Sequence, residues 1–400
     1  MTQPAVTPYS SPTTIGALGY PWAMSKRTEK QNVAYLSFQL IRGGALRSKR
    51  VQTDTKLCSR ADGGVGDHFG FAGLGLKRRP LLTTPYELPQ ECSDVVSSLP
   101  RETGWVAKYL HQYQGCWIST RYMKGVLAFQ KHFQAHHTDI LLVTTPKAGT
   151  TWLKAILFAL VNRVRYRRDP LQHPLLTNNP HVLVPFLDMN LYTQSQVPDL
   201  SSFAFPRLFS THLPFALLPT SVKDSACKIV YLCRNPKDTF VSLWHFTNKL
   251  RPTARGTNSL EEAFDKFCRG VSLYGPYWDN VLGYWKKSLE MPQKILFLKF
   301  EEMKEHPAAN LRRLAEFLEC PFSPEEKAQG VEDNILRLCS FDNLSNLEVN
   351  KSGKLPAGEE NNAFFRRGEV GDWKNHLTAK MIEKIDRITE EKFDGTGLRV

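Results

Sequence analysis

Lys147 stands in the middle of TTPKAGTTW (144–152), among the residue types an anion needs. Its ammonium would supply a full charge, and Thr150 and Thr151 hydroxyl donors. Gly149 would let the backbone approach an oxygen closely, and Trp152 offers a flat face on which a base could stack. The order is not that of the ordinary nucleotide loop, G-x-x-x-x-G-K-[ST], because Lys147 precedes Gly149 and no first glycine is present. A plain strand-to-helix turn with a threonine cap would use some of the same residues. Two further turns carry guanidinium groups, which suit bidentate contact with phosphate. Arg234 opens RNPKDTFVS, eight residues ahead of Ser242. The plain alternative there is an ion pair with Asp238. Arg366, Arg367 and Gly368 lie together in FFRRGEVGDW. Three anion-suited turns in one chain call for a ligand with more than one anionic group.

Such turns need a frame. An apolar run, Ile140–Val143, leads into the first turn, and an apolar helix-like run to Leu160 leads out. Residues 228–233 form a second strand candidate, with a helical run at 238–250. Residues 294–299 form a third, with a helical run at 301–320. Residues 125–134 have helical periodicity. Strands alternating with helices predict βαβ units, hence an α/β fold with a parallel sheet. Ligands in such folds sit beyond the carboxyl ends of the strands. The polar, turn-rich stretch Asn343–Arg367 is expected to be a long loop folding over the ligand.

The 400-residue chain is 42% hydrophobic and 23% charged, a globular composition. It has no apolar run of about eighteen residues, so no transmembrane helix and no membrane partner are expected. The net charge is +13. Residues 1–80 carry 12 basic against 4 acidic side chains, and the rest of the chain 40 against 35. The basic excess therefore belongs largely to the N-terminal region, which weakens the case for nucleic acid as a partner. Residues 1–85 are expected to be a disordered extension, whose composition also fits an organellar transit peptide. Residues 86–400 are expected to fold as a single domain. The 8 cysteines form no C-x-x-C pair, so reduced thiols and no metal site are expected.

Taken together, Pro146–Trp152, Arg234 to Ser242, and Arg366–Lys374 resemble the signature set of soluble sulfotransferases, which use 3′-phosphoadenylyl sulfate (PAPS) as donor. The resemblance runs from about residue 100 to the C-terminus, and RLFSTHLPF, CRNPKDTFVSLWHF and LCSFDNLSNLEVNKSGKLP are most similar to the plant branch. It implies a P-loop-kinase-like sulfotransferase fold, with a central parallel β-sheet flanked by helices. It also implies that Lys147, Ala148, Gly149, Thr150, Thr151 and Trp152 hold the 5′-phosphosulfate, with Lys147 on the bridging oxygen and Trp152 on adenine. Arg234, Ser242, Arg366, Arg367 and Gly368 would bind the 3′-phosphate. Phe300, Ser340 and Phe341 would line the adenine pocket, and His212 would be the general base. A histidine suits that task at neutral pH. Neutralisation by Lys147 and helix N–H groups would need no metal. The acceptor would be a hydroxyl of a small hydrophobic molecule such as a flavonoid, a hydroxyjasmonate or a steroid-like compound. The protein would be cytoplasmic, and a monomer or weak homodimer.

Some positions depart from the family pattern. Ala148 replaces the usual Ser, Ser210 stands where animal relatives have Lys, and Phe300 replaces Tyr. These predict a weaker grip on the donor. Lys374, Thr378, Ala379 and Glu383 nearly match a dimerisation motif of the family. Phe186, Tyr192, Phe215, Trp244, Phe246, Tyr274 and Trp278 could wall an acceptor pocket or be core. Two other readings stay open: a P-loop kinase or nucleotide hydrolase, and a non-catalytic relative that only binds the nucleotide.

Overall fold

The computed structural model describes residues 90–400, apart from Val106 and residues 167–169. The expectations for residues 1–85 lie outside the described residues. Four strands form a parallel sheet: β4 (Ile140–Thr144), β5 (Leu208–Thr211), β6 (Lys228–Cys233) and β7 (Ile295–Lys299), in the order β5-β4-β6-β7. Ile140 pairs with Leu208 on one side and Lys228 on the other, and Ile229 pairs with Ile295.

The strands are largely apolar, with polar residues mainly at their ends, because both faces of the sheet are covered. Their side chains alternate between the two faces. Leu141, Val143, Phe209, Ile229, Tyr231, Ile295 and Phe297 join one apolar cluster. Ile140, Leu142, Leu208, Val230, Leu232, Leu296 and Leu298 join the other. Each such burial is worth about 1.5–3 kcal/mol relative to exposure. On the second face pack α3 (Thr150–Tyr166), α7 (Pro307–Phe317) and α8 (Val331–Leu338). The first face is covered by α2 (Thr120–His132), α4 (Pro236–Leu250), α5 (Leu260–Cys268), α6 (Tyr277–Glu290) and α9 (Ala379–Phe393). Asn235 starts α4 by accepting from the Lys237 N–H, with Pro236 at the first helical position.

Three differences from the sequence reading have local causes. The segment before α2 carries elements that the sequence reading did not name. After α1 (Gln90–Ser98) it forms an antiparallel sheet of β1 (Arg101–Thr103), β2 (Tyr109–Tyr113) and β3 (Cys116–Ser119). Gln114 and Gly115, both with positive φ, make the two-residue hairpin between the last two strands. The helical run at 301–320 is split in two, because Pro307 removes a donor and pushes His306 out of helical conformation. The stretch 343–367 is not a structureless loop. Short helices at Phe341–Asn346, Glu348–Ser352 and Asn361–Phe364 shape it. The buried Asn350 pins it by accepting from Asn179 Nδ2 at 2.9 Å.

No helix among the described residues is long and apolar enough to cross a membrane.

Candidate active site

The carboxyl ends of all four parallel strands open into one cavity of about 540 Å³. Beyond β4 lies the loop with Lys147, and directly after β5 comes His212. Arg234 follows β6, and Phe300 follows β7. The parallel sheet thus brings together residues up to 153 positions apart in the chain.

The loop 145–149 turns tightly. Lys147 has φ +69 and Gly149 φ +107. A Cβ on Gly149 would lie 2.7 Å from the Phe300 ring, so only glycine fits there. α3 starts at Thr150, and its first residues, Thr150 to Trp152, line the cavity, at a helix start whose first N–H groups lack helical partners. Thr150 Oγ1 is 2.7 Å from Thr144 Oγ1. The Lys147 ammonium sits 4.1 Å over the Phe246 ring and 5.8 Å from that of Phe364. Burial, aided by the charges of Arg234, Arg366 and Lys249, lowers its pKa to about 7. Ala148 is fully buried and does not line the cavity. Its contribution is a turn N–H donated to Thr145 O, so a hydroxyl lost at this position is not lost from the cavity surface seen here.

Arg234 donates to the Glu369 carbonyl at 2.6 Å and lies 3.6 Å from Asp238. The plain ion pair is therefore real. It leaves part of the guanidinium unused: Arg234 Nε is buried without a hydrogen-bond partner among the described residues, and so is Arg366 Nε. Asp238 spends its oxygens on the N–H groups of Gly371 and Trp373, at 2.7 and 3.1 Å, which clamps the 366–373 loop onto α4. Asp372 takes Arg366 and, at 3.0 Å, Arg367. Burial opposes its ionisation, but the Arg366 hydrogen bond and both guanidinium charges bring its pKa down to about 2. Ser242 lies two turns into α4, at the cavity wall. Gly368 has φ +67, and a Cβ there would strike the Phe341 ring at 2.5 Å. Orphaned guanidinium donors at a wall that also holds Ser242 fit a phosphate group.

At the other end, Trp152 meets Phe300 edge-on at 5.5 Å, and the Arg234 guanidinium lies 4.6 Å over the Phe300 ring. Ser340 caps the next short helix by accepting from the Asn343 N–H at 3.2 Å. Phe341, Met303 and Leu336 complete an apolar slot.

His212 is buried and borders the cavity. Its Nδ1 lies 2.7 Å from the Thr144 carbonyl, to which only an N–H can bond. The Nε2 is therefore the basic nitrogen. Burial lowers the pKa to about 3, so the ring is neutral at pH 7. Phe186 at 4.6 Å and Tyr274 at 5.3 Å hold the ring. Asp188, fully buried, accepts from Tyr274 OH at 2.5 Å and from Thr211 Oγ1 at 2.7 Å, and so braces one ring neighbour of His212 and the residue before it in the chain.

Of the aromatic candidates, Phe186 and Phe246 line the cavity. Tyr192, Tyr274 and Trp278 are core, and Phe215 and Trp244 pack against it half-buried. Lys154, His181 and Asp188 escaped the sequence reading. His181 stands in NNPHVLVPF, and only the Asn-Pro turn before it gives a signal. Among the described residues, no group of three or more His, Cys, Asp or Glu side chains is placed to hold a metal ion.

A family model for the sulfotransferase domain matches residues 137–397. Cytosolic sulfotransferase 5 of Arabidopsis thaliana is 51% identical over 314 residues, covering 78% of this chain and 97% of that protein. Cytosolic sulfotransferase 11 of the same plant is 50% identical over 309 residues, covering 77% and 88%. Among solved structures, an Arabidopsis thaliana sulphotransferase is 42% identical with a TM-score of 0.63, covering 80% of this chain and 100% of its own. A mouse sulfotransferase complexed with PAP is 27% identical with a TM-score of 0.57, covering 72% and 95%. With four strand ends converging on one anion-suited cavity, the match over most of the chain leaves one conclusion: this protein belongs to the plant cytosolic branch of the sulfotransferase family and is a sulfotransferase.

Proposed function

We propose that the protein transfers the sulfuryl group of PAPS to a hydroxyl of a small, largely apolar acceptor, with His212 as general base. The observation that carries this reading is His212 itself. Its Nδ1–H is committed to the Thr144 carbonyl, and its basic Nε2 shares a cavity with Lys147. The orphaned Nε atoms of Arg234 and Arg366, with Ser242, suit the 3′-phosphate. The slot between Trp152 and Phe300 suits the adenine, with Ser340, Phe341 and Gly368 at its edge. Phe186, Met189, Phe246, Leu273 and Phe364 give the region near His212 an apolar lining, which suits a hydrophobic acceptor.

In the transfer, the acceptor oxygen attacks sulfur while its proton passes to His212 Nε2. The bond from sulfur to the phosphate oxygen breaks, and the leaving phosphate gains charge. Lys147 and the α3 N-terminus stabilise that charge. The protein's part is mostly positioning and electrostatics. Residues 86–400 make the transferring unit, working in the cytosol, as the names of the relatives suggest. Lys374, Thr378, Ala379 and Glu383 are exposed, as a weak homodimer contact through them would require.

The test is transfer of labelled sulfate from PAPS to phenols, flavonols and hydroxyjasmonates, in EDTA, by wild-type protein and His212→Ala. Transfer by the wild type alone is expected. Equal transfer by both would remove His212 as base.

A further inference from the structure

Lys154 is fully buried, yet nothing in the proposed transfer uses it. It lies one turn after Thr151 on α3, so both side chains share a face. Its Nζ is 3.1 Å from His181 Nδ1 and 3.5 Å from the centroid of the Phe186 ring. The other ring nitrogen, His181 Nε2, is 2.9 Å from Thr151 Oγ1. The three groups form a line that ends at the anion loop. His181 is held from both sides. Its backbone N–H donates to Asn179 Oδ1 at 2.9 Å, and its ring lies between Phe186 at 5.7 Å and Phe364 at 4.3 Å. Both His181 and Thr151 border the cavity.

An ammonium has donors only. A protonated Lys154 therefore makes His181 Nδ1 an acceptor and leaves the ring proton on Nε2. That proton goes to Thr151 Oγ1, whose own O–H must then donate elsewhere. Among the described residues Thr151 Oγ1 has no other partner, and the remaining direction is the cavity. Burial holds the Lys154 pKa well below its ordinary value, and the nearby Asp188 carboxyl opposes this only in part; a polyanion at the loop favours the ammonium, so the arrangement belongs to the donor-bound protein.

We propose that Lys154 and His181 are positioning residues. Through the chain Lys154 Nζ–His181–Thr151 Oγ1 they hold the Thr151 hydroxyl with its proton aimed into the cavity, at the anionic group of the donor. The proposal rests on the reading of residues 147–152 as the phosphosulfate loop. It assigns the site a second lysine, which acts through two intermediaries where Lys147 acts directly. It also links the loop to the 341–365 segment, because Asn179 and Phe364 both hold His181 and Asn179 bonds Asn350.

The test has two parts, both using the PAP complex of the full chain. First, the His181 tautomer is read from imidazole ¹⁵N shifts. Protonated Nε2 with bare Nδ1 is expected, and the reverse tautomer overturns the relay. Second, PAP affinity is measured for Lys154→Met, His181→Phe and Thr151→Val, singly and combined. His181→Phe keeps the ring contacts and removes both nitrogens, so it carries the test if Lys154→Met does not fold. Each single change is expected to weaken binding about tenfold, the range for a lost hydrogen bond to a charged group. Adding either change to Thr151→Val should cost nothing more. Losses that multiply would overturn the relay alone, because a merely structural role of Lys154 predicts them. Failure of wild-type protein to bind PAP would overturn the loop assignment, and the relay with it.

Discussion

His212 Nδ1 lies 2.7 Å from the carbonyl oxygen of Thr144, the last residue of the strand that feeds the anion loop. One strand end thus fixes the tautomer of the proposed base and launches the turn that carries Lys147. His212→Ala should lower kcat by about 10²–10⁴-fold, the usual range for a lost general base. PAP affinity should change little, because His212 is not among the phosphate-holding groups. Steady-state transfer rates with calorimetric PAP binding check both halves, and a kcat within a few-fold of wild type would sink the assignment.

Lys147 should couple donor binding to proton uptake. Its pKa is lowered to about 7, and an anion beside it raises that value. Above pH 7 the free protein holds a neutral amine and the complex an ammonium. Affinity for PAP should therefore fall as pH rises from 7 to 9, by up to about tenfold per unit. Calorimetry in two buffers of different ionisation enthalpy counts the protons taken up. Lys147→Arg should take up about one proton fewer, since arginine does not titrate in this range.

Arg234→Met should abolish recognition of the 3′-phosphate while leaving the rest of the nucleotide site in place. Loss of a charge-assisted, partly orphaned donor predicts about 10–100-fold weaker PAP binding. Binding of 5′-AMP, which lacks that phosphate, should barely change. Arg234→Lys should not restore the difference, because a single ammonium cannot copy the planar fork. Equal weakening of PAP and AMP would point to a general collapse of the site instead.

Acid should destabilise the protein through its buried histidines. The pKa of His212 is lowered to about 3, and that of His181 is also held well below its ordinary value, chiefly by burial. An unfolded chain protonates both near pH 6.5. Between these values the unfolded state binds more protons, so stability falls as pH drops below about 6.5. The slope approaches roughly 1.4 kcal/mol per pH unit for each ring. Urea midpoints at pH 7, 5.5 and 4.5 measure it, and His181→Phe should flatten the dependence.

Gly149→Ala should fold but bind PAP poorly. At φ +107 any Cβ is strained, and here it would meet the Phe300 ring at 2.7 Å. Strain of this kind costs about 1–3 kcal/mol and would push Phe300 out of the adenine slot. Loss of PAP binding with little change in far-UV circular dichroism is the expected result.

The sequence by itself determined the strands that matter most. Residues 140–144 and 228–233 are apolar runs ending in Pro-Lys and Arg-Asn-Pro turns, 295–299 is one that passes straight into a helix, and both-sided burial makes such strands readable one at a time. The anion-suited turns around Lys147, Arg234 and Arg366 were legible because each is local, whereas His212 came only through the family resemblance. Of the donor-site residues and base named from the sequence, every one except Ala148 lines the same cavity.

Only the tertiary structure decided what depends on contacts distant in the chain. That β5 joins the sheet edge follows from its pairing with β4 across 68 residues, Ile140 to Leu208. Arg234 looks like a plain partner for Asp238 in sequence. The fold shows Asp238 occupied by the backbone of Gly371 and Trp373, so the guanidinium keeps a donor to spare. Ala148 sits in the signature yet is buried away from the cavity that its neighbours line. Lys154 and His181 have no motif at all. A lysine in an apolar helix reads as a surface residue until a histidine 27 positions away and a buried carboxylate are brought beside it. Local pattern encodes strands and turns, whereas the partner of a buried polar group is set by packing that no short stretch contains.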